Sequence, residues 1–572
     1  MSIFNNVRFK SPKRYSYNLS HEVKASMKIG NLYPILRMDV IPGDKFNVNS
    51  QHVVKLQPML APIMHQVDVK IDYFYIPNRL LTKGFNEFVL GIDPQANPPY
   101  ITTNHCLEFA KEQYDQFGYY HHFQKMLEGT LWDFLGYPTP VKTPHPVDWE
   151  DANEVSSWYI KVKKEIGNDV KLSGLPFLAF RSVWSNYYRW SEQPEDSLWE
   201  QYILEDKDIS EVVMRYFSVH ERAKWERDYF TSALSSPQAG DPQTISIGGL
   251  ADLVQSDADD ISKSSKIQGI NPSLESAEWQ ELGSTTLNVA GGGYSGSQSW
   301  SSGSNPVPIS GSSLSRIDVT PHTKADLSNA TPIDVEILRE AFIMQRIKER
   351  MSAGGNKPID RLKSLWGVNS SDARLQVPEY LGGGRSPLVI SSVLQQVQDT
   401  TNGYALGKQG GEGLSVGRAS AFNRYFEEHG IVLGIMRIVP RTAYYQGVHR
   451  DLLRVAQGDF ALPQLSVLGE QAIKNCELYF GADDPNGTFG YQSRYADYKY
   501  IPDKVHGEFK TSLSYWTMAR KFESEPRLNA EFQNIDPESV QSSVFSNPSE
   551  DTLYVDIYHR ITAKRKLKPN VY

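Results

Sequence analysis

Two stretches near the N-terminus alternate apolar and polar side chains with a period of two. The first is FNVNSQHVVKL, residues 46–56, and the second is VDVKIDYFY, residues 67–75. This period is typical of a half-buried strand, in which every second side chain faces the core. The linker 57–62 contains two prolines, which can turn the chain but cannot continue a ladder of backbone hydrogen bonds. The pattern therefore predicts two strands joined by a turn.

The same signal returns close to the C-terminus. LYVDIYHRI, residues 553–561, alternates again, whereas IVLGIMRIV, residues 431–439, is a continuous apolar run that suits a strand buried on both faces. Strands near both ends of the chain predict a β-sandwich in which the first and last strands share sheets. The middle of the chain would then hold long inserted excursions.

One helix is clearly signalled between these strands. Thr331, followed by Pro332 and Asp334, resembles a capping box, and Gly354-Gly355 ends the pattern. The apolar residues at helical spacing in between are Ile337, Leu338, Ala341, Phe342, Ile347 and Met351. A second helix is predicted at residues 179–190, AFRSVWSNYYRW.

A tract rich in Gly and Ser precedes the first helix. Residues 282–315 contain no Asp, Glu, Lys or Arg, and fifteen of the twenty-three residues in 291–313 are Gly or Ser. Such a composition buries little apolar surface, so it predicts an exposed loop or a flexible protrusion. Trp300 lies inside the tract. Either it packs onto its own loop, or it is a contact residue at an exposed tip.

Length and cysteine content narrow the class of protein. A chain of 572 residues can bury a large core without covalent staples; three to four domains, or one β domain enlarged by insertions, are compatible with that length. Cys106 and Cys476 allow at most one disulfide, which excludes a disulfide-framed secreted scaffold and suits a reducing compartment such as a bacterial cytoplasm. The sequence contains no run of eighteen apolar residues, so it predicts no transmembrane helix.

The net charge of −8 is unevenly distributed. Residues 1–28 carry six basic side chains and one acid, residues 560–572 carry five basic side chains and no acid, and the remainder is left at −18. Basic ends on an acidic body predict contact with a polyanion, although terminal Lys and Arg also simply keep tails solvated. The predicted contact residues are Arg8, Lys10, Lys13, Arg14, Lys564, Arg565, Lys566 and Lys568.

Short catalytic motifs occur without the context that their chemistry needs. Residues 413–417, GLSVG, match the nucleophile elbow but follow a stretch of loop composition, and residues 291–296 match G-x-G-x-x-G inside the Gly/Ser tract. His105, His121, His122 and His145 cluster in sequence without metal-ligand spacing. The sequence therefore predicts no catalytic, metal or cofactor site.

Several stretches of the chain are long, colinear and specific. They include YNLSHEVKASMKIGNLYPILRMDVIPGDKFNVN (17–49), VKIDYFYIPNRLL (69–81), LPFLAFRSVWSNYYR (175–189), RDYFTSALSSPQAG (227–240), SDARLQVPEYLGGGRSPLVISSVLQQ (371–396), EEHGIVLGIMRIVPRTAYYQG (427–447), LGEQAIKN (468–475) and FGYQSRYADYKYIPDKVHGEF (489–509). They resemble the major capsid protein of the Microviridae, small phages with single-stranded DNA, and are most similar to the gokushovirus-like branch. These blocks span most of the chain, apart from roughly 85–170, 241–330 and the last sixty residues.

The resemblance implies a single eight-stranded antiparallel jelly roll, mainly β, with long inserted loops and a few helices. Sixty copies would form a T=1 icosahedral virion shell around circular single-stranded DNA. About 85–170 would be an inserted loop region, and about 241–330 would rise as a protrusion at the threefold axis.

The resemblance also implies partners. They are an internal scaffolding protein, a small basic DNA-binding protein and a DNA pilot protein, with assembly in the bacterial cytoplasm. We expect the basic termini to contact the genome, with Tyr15, Tyr17 and Tyr572 able to stack on bases. Tyr294 and Trp300 on the protrusion are the expected contacts to a host surface receptor. A β-rich carbohydrate-binding or carbohydrate-active protein is the alternative, which would require paired carboxylates in one cleft.

Overall fold

The computed structural model describes residues 12–93, 97–118, 121–143, 152–192, 208–216, 220–241, 335–355, 357–394, 409–547 and 550–569, and the backbone of seven short strands between residues 252 and 326. The chain divides into two compact units. The first comprises residues 1–240 and 347–572, and the second comprises residues 241–346.

The strands of the described residues are numbered in chain order. They are β1 (Tyr15–Asn18), β2 (His21–Met27), β3 (Tyr33–Val40), β4 (Lys45–Leu56), β5 (Val67–Pro77), β6 (Tyr100–Thr102), β7 (Lys171–Ser173), β8 (Asp252–Gln255), β9 (Ile267–Ile270), β10 (Trp279–Leu282), β11 (Gln298–Ser302), β12 (Asn305–Ile309), β13 (Ile317–Val319), β14 (Thr323–Asp326), β15 (Glu379–Leu394), β16 (Gln409–Tyr425), β17 (Gly430–Pro440), β18 (Glu470–Lys474), β19 (Thr488–Ser493) and β20 (Leu553–Arg565).

Eight long strands of the first unit form two four-stranded antiparallel sheets. One sheet has the order β2-β20-β4-β16 and the other has the order β15-β5-β17-β3, while β1 pairs with the end of β20 beside β2. The far ends of β15 and β16 also pair, over Val389–Leu394 and Gln409–Leu414, and this join links the two sheets. This is the predicted eight-stranded jelly roll, and the predicted sharing of a sheet by first and last strands is confirmed.

The two sheets enclose the main hydrophobic core. Along β4, buried and exposed side chains alternate, which confirms the period-two prediction, and Phe46, Val48 and Val54 are fully buried. Aromatic rings meet across the core, because Tyr73 of β5 lies 5.6 Å from Phe422 of β16, measured between ring centroids. Burial of such rings supplies a large part of the stabilisation of a β-sandwich.

Strand β17 is buried on both faces, as its continuous apolar sequence predicted. Its outer side is covered by the helix Leu175–Val183, which continues as a π-helical turn over Trp184–Tyr188 and fulfils the second helix prediction. The hydroxyl of Tyr188 donates to Asp72 of β5 at 3.0 Å, and Arg437 of β17 pairs with the same carboxylate at 3.1 Å. The helix is thus attached to the sheet by packing and by charge-assisted hydrogen bonds.

The helices lie mainly between β5 and β15 and after β17. In the described residues they are Phe85–Val89, Thr103–Phe117, His121–Gln124, Leu131–Phe134, Ala152–Ile166, Leu175–Val183, Ser210–Tyr216, Val335–Gly354, Pro358–Trp366, Asp372–Leu375, Asn475–Leu478, Ala530–Gln533 and Pro537–Ser542. Short 3₁₀ turns are Asn78–Leu80, Arg450–Leu453, Gln457–Asp459, Pro463–Val467, Ala496–Tyr498, Gly507–Lys510 and Ser514–Trp516. The region 85–170, expected as an inserted loop, therefore carries helices.

The predicted helix after residue 331 is present from Val335 to Gly354, and Gly355 has a left-handed φ of 94° that ends it. The proposed capping residues Thr331–Asp334 lie outside the described residues. The apolar side chains of the helix Val335–Gly354 are not buried, since Ile337 and Phe342 are 53% and 66% exposed.

The Gly/Ser tract, predicted as an exposed loop or a flexible protrusion, contains β structure. Strands β11 and β12 pair as an antiparallel hairpin, with Trp300 opposite Val307. Strands β9, β10 and β13 form a three-stranded sheet, and β8 pairs with β14. Backbone hydrogen bonds between strands need no charged side chains, so low charge did not prevent β structure here.

The loop predicted before residues 413–417 is wrong for residues 409–412, which lie inside β16 together with residues 413–417. The hydroxyl of Ser415 is buried and donates to the carbonyl of Pro387 at 2.9 Å. Small residues fit here because Gly413 faces Leu56 so closely that a Cβ would overlap its side chain at 1.8 Å. Rejection of the nucleophile elbow stands for a different reason, since no helix follows the serine.

Candidate nucleic-acid interface

The two basic ends of the chain meet on one sheet. Strand β1 pairs antiparallel with the end of β20, which places Tyr15 opposite Arg565 and Ser16 opposite Lys564. The hydroxyl of Tyr17 donates to the carbonyl of Leu567 at 2.6 Å. Segments separated by more than five hundred residues in sequence are therefore neighbours in the fold, and their charges add locally.

A cluster of cations surrounds an exposed tyrosine at this end of the sheet. Lys45 of β4 lies opposite Lys564 of β20 on one side and opposite Tyr425 of β16 on the other. The guanidinium of Arg14 lies 5.0 Å from the centroid of the Tyr425 ring, a cation–π contact. Arg14, Lys45, Tyr425 and Lys564 are all exposed.

The cluster continues along the solvent-facing side of the sheet. Period-two alternation turns every second residue of β4, β16 and β20 outward, and the outward positions include three tyrosines and several long cations. We call this surface the basic tyrosine face. It consists of Arg14, Lys45, Lys55, Arg418, Tyr425, Tyr554, Tyr558, Arg560 and Lys564.

The tyrosine rings of this face are accessible. Tyr554, Tyr558 and Tyr425 are 48%, 46% and 43% exposed. The strand register sets Lys55 beside Tyr554, and Tyr558 lies in a row with Gln51 and Arg418. Proteins that bind single-stranded nucleic acid without sequence preference place accessible aromatic rings next to cations. A base stacks on the ring, and the neighbouring phosphate pairs with the cation.

Carboxylates on the same side are fewer than the cations. They are Glu22, Glu412 and the half-buried Asp556. Glu22 lies 3.6 Å from Lys24, and both side chains are more than half exposed, so this pair contributes little. The face therefore keeps a local positive charge on a chain whose overall charge is −8.

Two of the predicted cations have structural contacts. The guanidinium of Arg565 is one-fifth exposed, lies 3.2 Å from the buried carboxylate of Asp44 and donates to the carbonyl of Asp39 at 2.5 Å. Burial raises the pKa of Asp44. The stem of Lys566 lies across Gly43, where a Cβ would approach its Cε to 2.7 Å. Much of the charge of Arg565 is thus used within the protein.

The other predicted contact residues are distributed as follows. Lys13, Arg14, Lys564 and Lys568 are exposed. Arg8 and Lys10, together with Tyr572, lie outside the described residues, as does Tyr294 of the predicted host contact. Trp300 lies in β11.

The tyrosines of the face were missed, although their signal was present in the sequence. LYVDIYHRI was interpreted only as a strand, yet its outward positions are Tyr554, Asp556, Tyr558 and Arg560. The alternation itself shows which residues point outward, so the aromatic part of the surface could have been predicted from it. Lys45 and Arg418 gave no such signal, because their proximity depends on pairing between distant strands.

The sequence-clustered histidines do not form one site. His105 lies 3.1 Å from Asp208, and the rings of His121 and His122 are 4.1 Å apart between centroids, whereas His145 lies outside the described residues. Within the described ranges, no three His, Cys, Asp or Glu side chains form a group that could hold a metal ion.

Cys106 and Cys476 are both free and buried. No helix of the described part is long and apolar enough to cross a bilayer.

Fold and surface together define a class of protein. Eight-stranded jelly rolls occur in viral shells and in lectins, and a positively charged face with stacking platforms favours the first. Comparison with known sequences agrees: the model of the phage family described as "Capsid protein (F protein)" matches residues 5–139 and 149–570. The chain therefore belongs to this capsid protein family.

Three relatives are similar over nearly their whole length. The chain is 26% identical to Capsid protein VP1 of Chlamydia phage 1 and 27% identical to Capsid protein VP1 of Bdellovibrio phage phiMH2K, in each case over 97% of this chain and 94% of the relative. Capsid protein VP1 of Spiroplasma virus 4 is 23% identical over the same shares. The expected relationship to gokushovirus-type Microviridae is confirmed. The chain is a structural protein of the virion shell that assembles in multiple copies, and not an enzyme.

Proposed function

We propose that sixty copies of this chain form a closed T=1 icosahedral shell around circular single-stranded DNA, with the basic tyrosine face turned toward the genome. The observation that carries the proposal is the register of β1, β4, β16 and β20, which gathers cations from both ends of the chain around exposed tyrosines. A surface of this kind suits a flexible polyanion with exposed bases.

Binding would combine two separable contributions. Lys45, Lys564 and Arg560 would neutralise phosphates and release counterions, which makes affinity fall with salt. Tyr554 and Tyr558 would stack on bases, which every base permits because each has a π face. A shell protein needs this tolerance, since each of its copies meets a different stretch of the genome.

Removing two cations of the face is expected to reduce both DNA affinity and its dependence on salt. In K45Q/K564Q protomers, the slope of log affinity against log salt should fall by about 1.4, because each phosphate contact contributes roughly 0.7 for a single strand. The measurement is fluorescence anisotropy with a labelled single-stranded oligonucleotide at several salt concentrations. K161Q/K164Q is the matched control, since it removes two exposed lysines from the helix Ala152–Ile166. An equal loss of slope in both variants would contradict the proposal.

The Y554A/Y558A variant separates stacking from charge in the same assay. Its affinity should fall by roughly 5- to 150-fold per ring, since stacking contributes about 1–3 kcal/mol per base, while the salt slope stays unchanged. A slope that fell with the affinity would show that the tyrosines act only by placing the cations.

We further propose that residues 241–330 form a surface protrusion at the threefold axis and contact a host receptor through Tyr294 and Trp300. Two observations support it: residues 241–346 are a compact unit apart from the jelly roll, and the Gly/Ser tract lacks charge. Scaffolding, small basic DNA-binding and DNA pilot proteins would assist assembly in the bacterial cytoplasm.

Deleting residues 284–313 should impair adsorption to host cells and leave shell formation intact, because this segment belongs to the second compact unit and contributes no strand to the jelly roll. The measurement is the fraction of particles that bind host cells, with particle yield determined by sedimentation. Normal adsorption by well-formed deletion particles would rule out the attachment role.

A further inference from the structure

Residues 450–468, which follow β17, expose more large apolar side chains than a folded surface normally shows. Val455 is 91% exposed, Leu452 75% and Val467 74%. We call the exposed apolar residues here, together with Tyr498 and Ile501 from the 3₁₀ turn after β19 and the residues that follow it, the apolar loop surface. It consists of Leu452, Val455, Phe460, Leu462, Val467, Leu468, Tyr498 and Ile501.

The backbone beneath this surface is held in a defined conformation. Arg450 donates to the carbonyl of Ala472 at 2.7 Å and to the buried carboxylate of Glu477 at 2.8 Å. Asp459 accepts from the backbone N–H groups of Val455 and Ala456 at 3.1 and 2.9 Å. A loop ordered by its polar groups, with its apolar groups outside, is preorganised for a protein contact.

The charged groups of the loop are already paired. Arg454 pairs with the buried carboxylate of Asp497, and its guanidinium lies 3.8 Å from the centroid of the Tyr498 ring. The backbone N–H of Ala461 donates to the hydroxyl of Tyr498 at 3.4 Å, so the loop also contacts the turn Ala496–Tyr498. Removing this surface from water would leave few charges unpaired, which favours a protein partner over nucleic acid.

The exposed area is large enough for a stable contact. A large apolar side chain has roughly 150–200 Å² of surface, and these eight are 42–91% exposed, so together they present on the order of 800 Å². That is about what each partner contributes to a standard interface. Monomeric surfaces seldom carry such a patch.

An aromatic cavity of about 230 Å³ lies at the edge of the apolar loop surface, and Leu452 is one of its lining residues. Its walls include Tyr229, Phe230, Tyr444, Tyr445 and Tyr500. Carboxylates that line it are paired, since Glu477 binds Arg450 and Asp503 binds Arg441. A cavity of this size and polarity can take one large apolar side chain, and such filled pockets commonly dominate the energy of an interface.

We infer that the apolar loop surface and this cavity form a contact between neighbouring copies of the chain in the shell. One copy inserts an apolar side chain into the cavity of the next, a heterologous contact that closes into a ring around a symmetry axis. The occupant is a second copy because capsid proteins of this family assemble in multiple copies and the exposed area matches one partner's share. The inference rests on the proposed closed shell.

Thiol labelling of V455C tests the contact directly. The two native cysteines are buried, so the introduced thiol supplies the signal, and wild-type chain gives the background. Maleimide should react quickly with V455C in unassembled protomers, and the rate should fall by about tenfold or more in purified shells, because interface cores exclude water. An equal rate in protomers and shells would overturn the contact.

Assembly of charged variants gives an independent answer. L452D/V455D should yield folded protomers, checked by circular dichroism, that sediment without shells, whereas V170D places a charge on another exposed valine and should assemble normally. Shells formed by L452D/V455D, or an equal failure of V170D, would overturn the inference. Failure of the wild-type chain to form closed shells would instead overturn the proposed function, and the contact with it.

Discussion

Acidification from about pH 7 to about pH 4 is expected to cost the folded protomer about 3 kcal/mol through His559 alone. Burial, together with the nearby His21, lowers the pKa of His559 from 6.5 to about 4. Below pH 6.5 the unfolded chain therefore binds a proton that the folded chain does not, so stability falls as the pH drops. The loss levels off below about pH 4, where the folded protein is protonated as well.

The neutral imidazole is required by a chain of hydrogen bonds that crosses the sandwich. Its Nε2 donates to the carbonyl of Ile35 on β3 at 3.1 Å, so its Nδ1 accepts from the hydroxyl of Ser50 on β4 at 2.7 Å. Ser50 in turn accepts from the hydroxyl of Tyr73 on β5 at 2.5 Å. A proton on Nδ1 would take away the acceptor that the hydroxyl hydrogen of Ser50 uses, which weakens the link between the sheets.

Urea unfolding of wild type and H559Q at several pH values measures the effect. The wild-type midpoint should fall between pH 6.5 and about 4, and H559Q should show a shallower fall because glutamine does not titrate. H506Q is the control, because His506 is exposed, whereas His21 itself shifts the pKa of His559. Parallel curves for wild type and H559Q would contradict the assignment.

Replacing Arg450 by methionine is expected to destabilise the protein by about 3–5 kcal/mol at neutral pH. The partner, Glu477, is only 5% exposed, and burial raises the pKa of its carboxyl. Without Arg450, the carboxylate keeps hydrogen bonds only from the backbone of Lys474 and the hydroxyl of Tyr229, at 2.9 and 3.1 Å. Two neutral donors do not compensate for a buried charge.

The double variant R450M/E477Q distinguishes a lost charge from lost packing. Glutamine can accept the same backbone hydrogen bond, so the double variant should recover most of the stability that R450M loses, measured as the shift of the thermal midpoint. The deficit of R450M relative to wild type should also shrink as the pH falls below the raised pKa of Glu477, because the carboxyl is then neutral. A double variant as unstable as R450M would contradict this account.

The jelly-roll strands could be predicted because the burial of a strand determines its local sequence pattern. A strand with one buried face alternates with a period of two, and a strand with two buried faces is a continuous apolar run. β4, β5, β17 and β20 all lie where such patterns placed them. The start of β16, residues 409–412, was predicted as a loop because glycines normally signal loops. In β16 they fit against Leu56 and His52 on paired strands, and such contacts are invisible until the pairing is known.

Of the candidate site, the charge asymmetry and the basic residues could be predicted, but their convergence could not. Composition shows that both ends are basic, whereas only the register of β1 on β20 shows that they are neighbours. The engagement of Arg565 with Asp44 was equally hidden, since a buried carboxylate 521 positions away leaves no local signal. Pairing between distant strands decides which cations remain free.

The placement of β20 has a consequence for synthesis. It lies between β4 and the N-terminal strands, and Ser20 bonds Ile561 across 541 residues of sequence. At roughly 5–20 residues per second, the ribosome releases this strand on the order of a minute after its neighbours. Until then β2 and β4 have open edges, which invite aggregation. A chain that terminates before Leu553 lacks the strand that joins β2 to β4, so we expect prematurely ended products to leave this sheet incomplete.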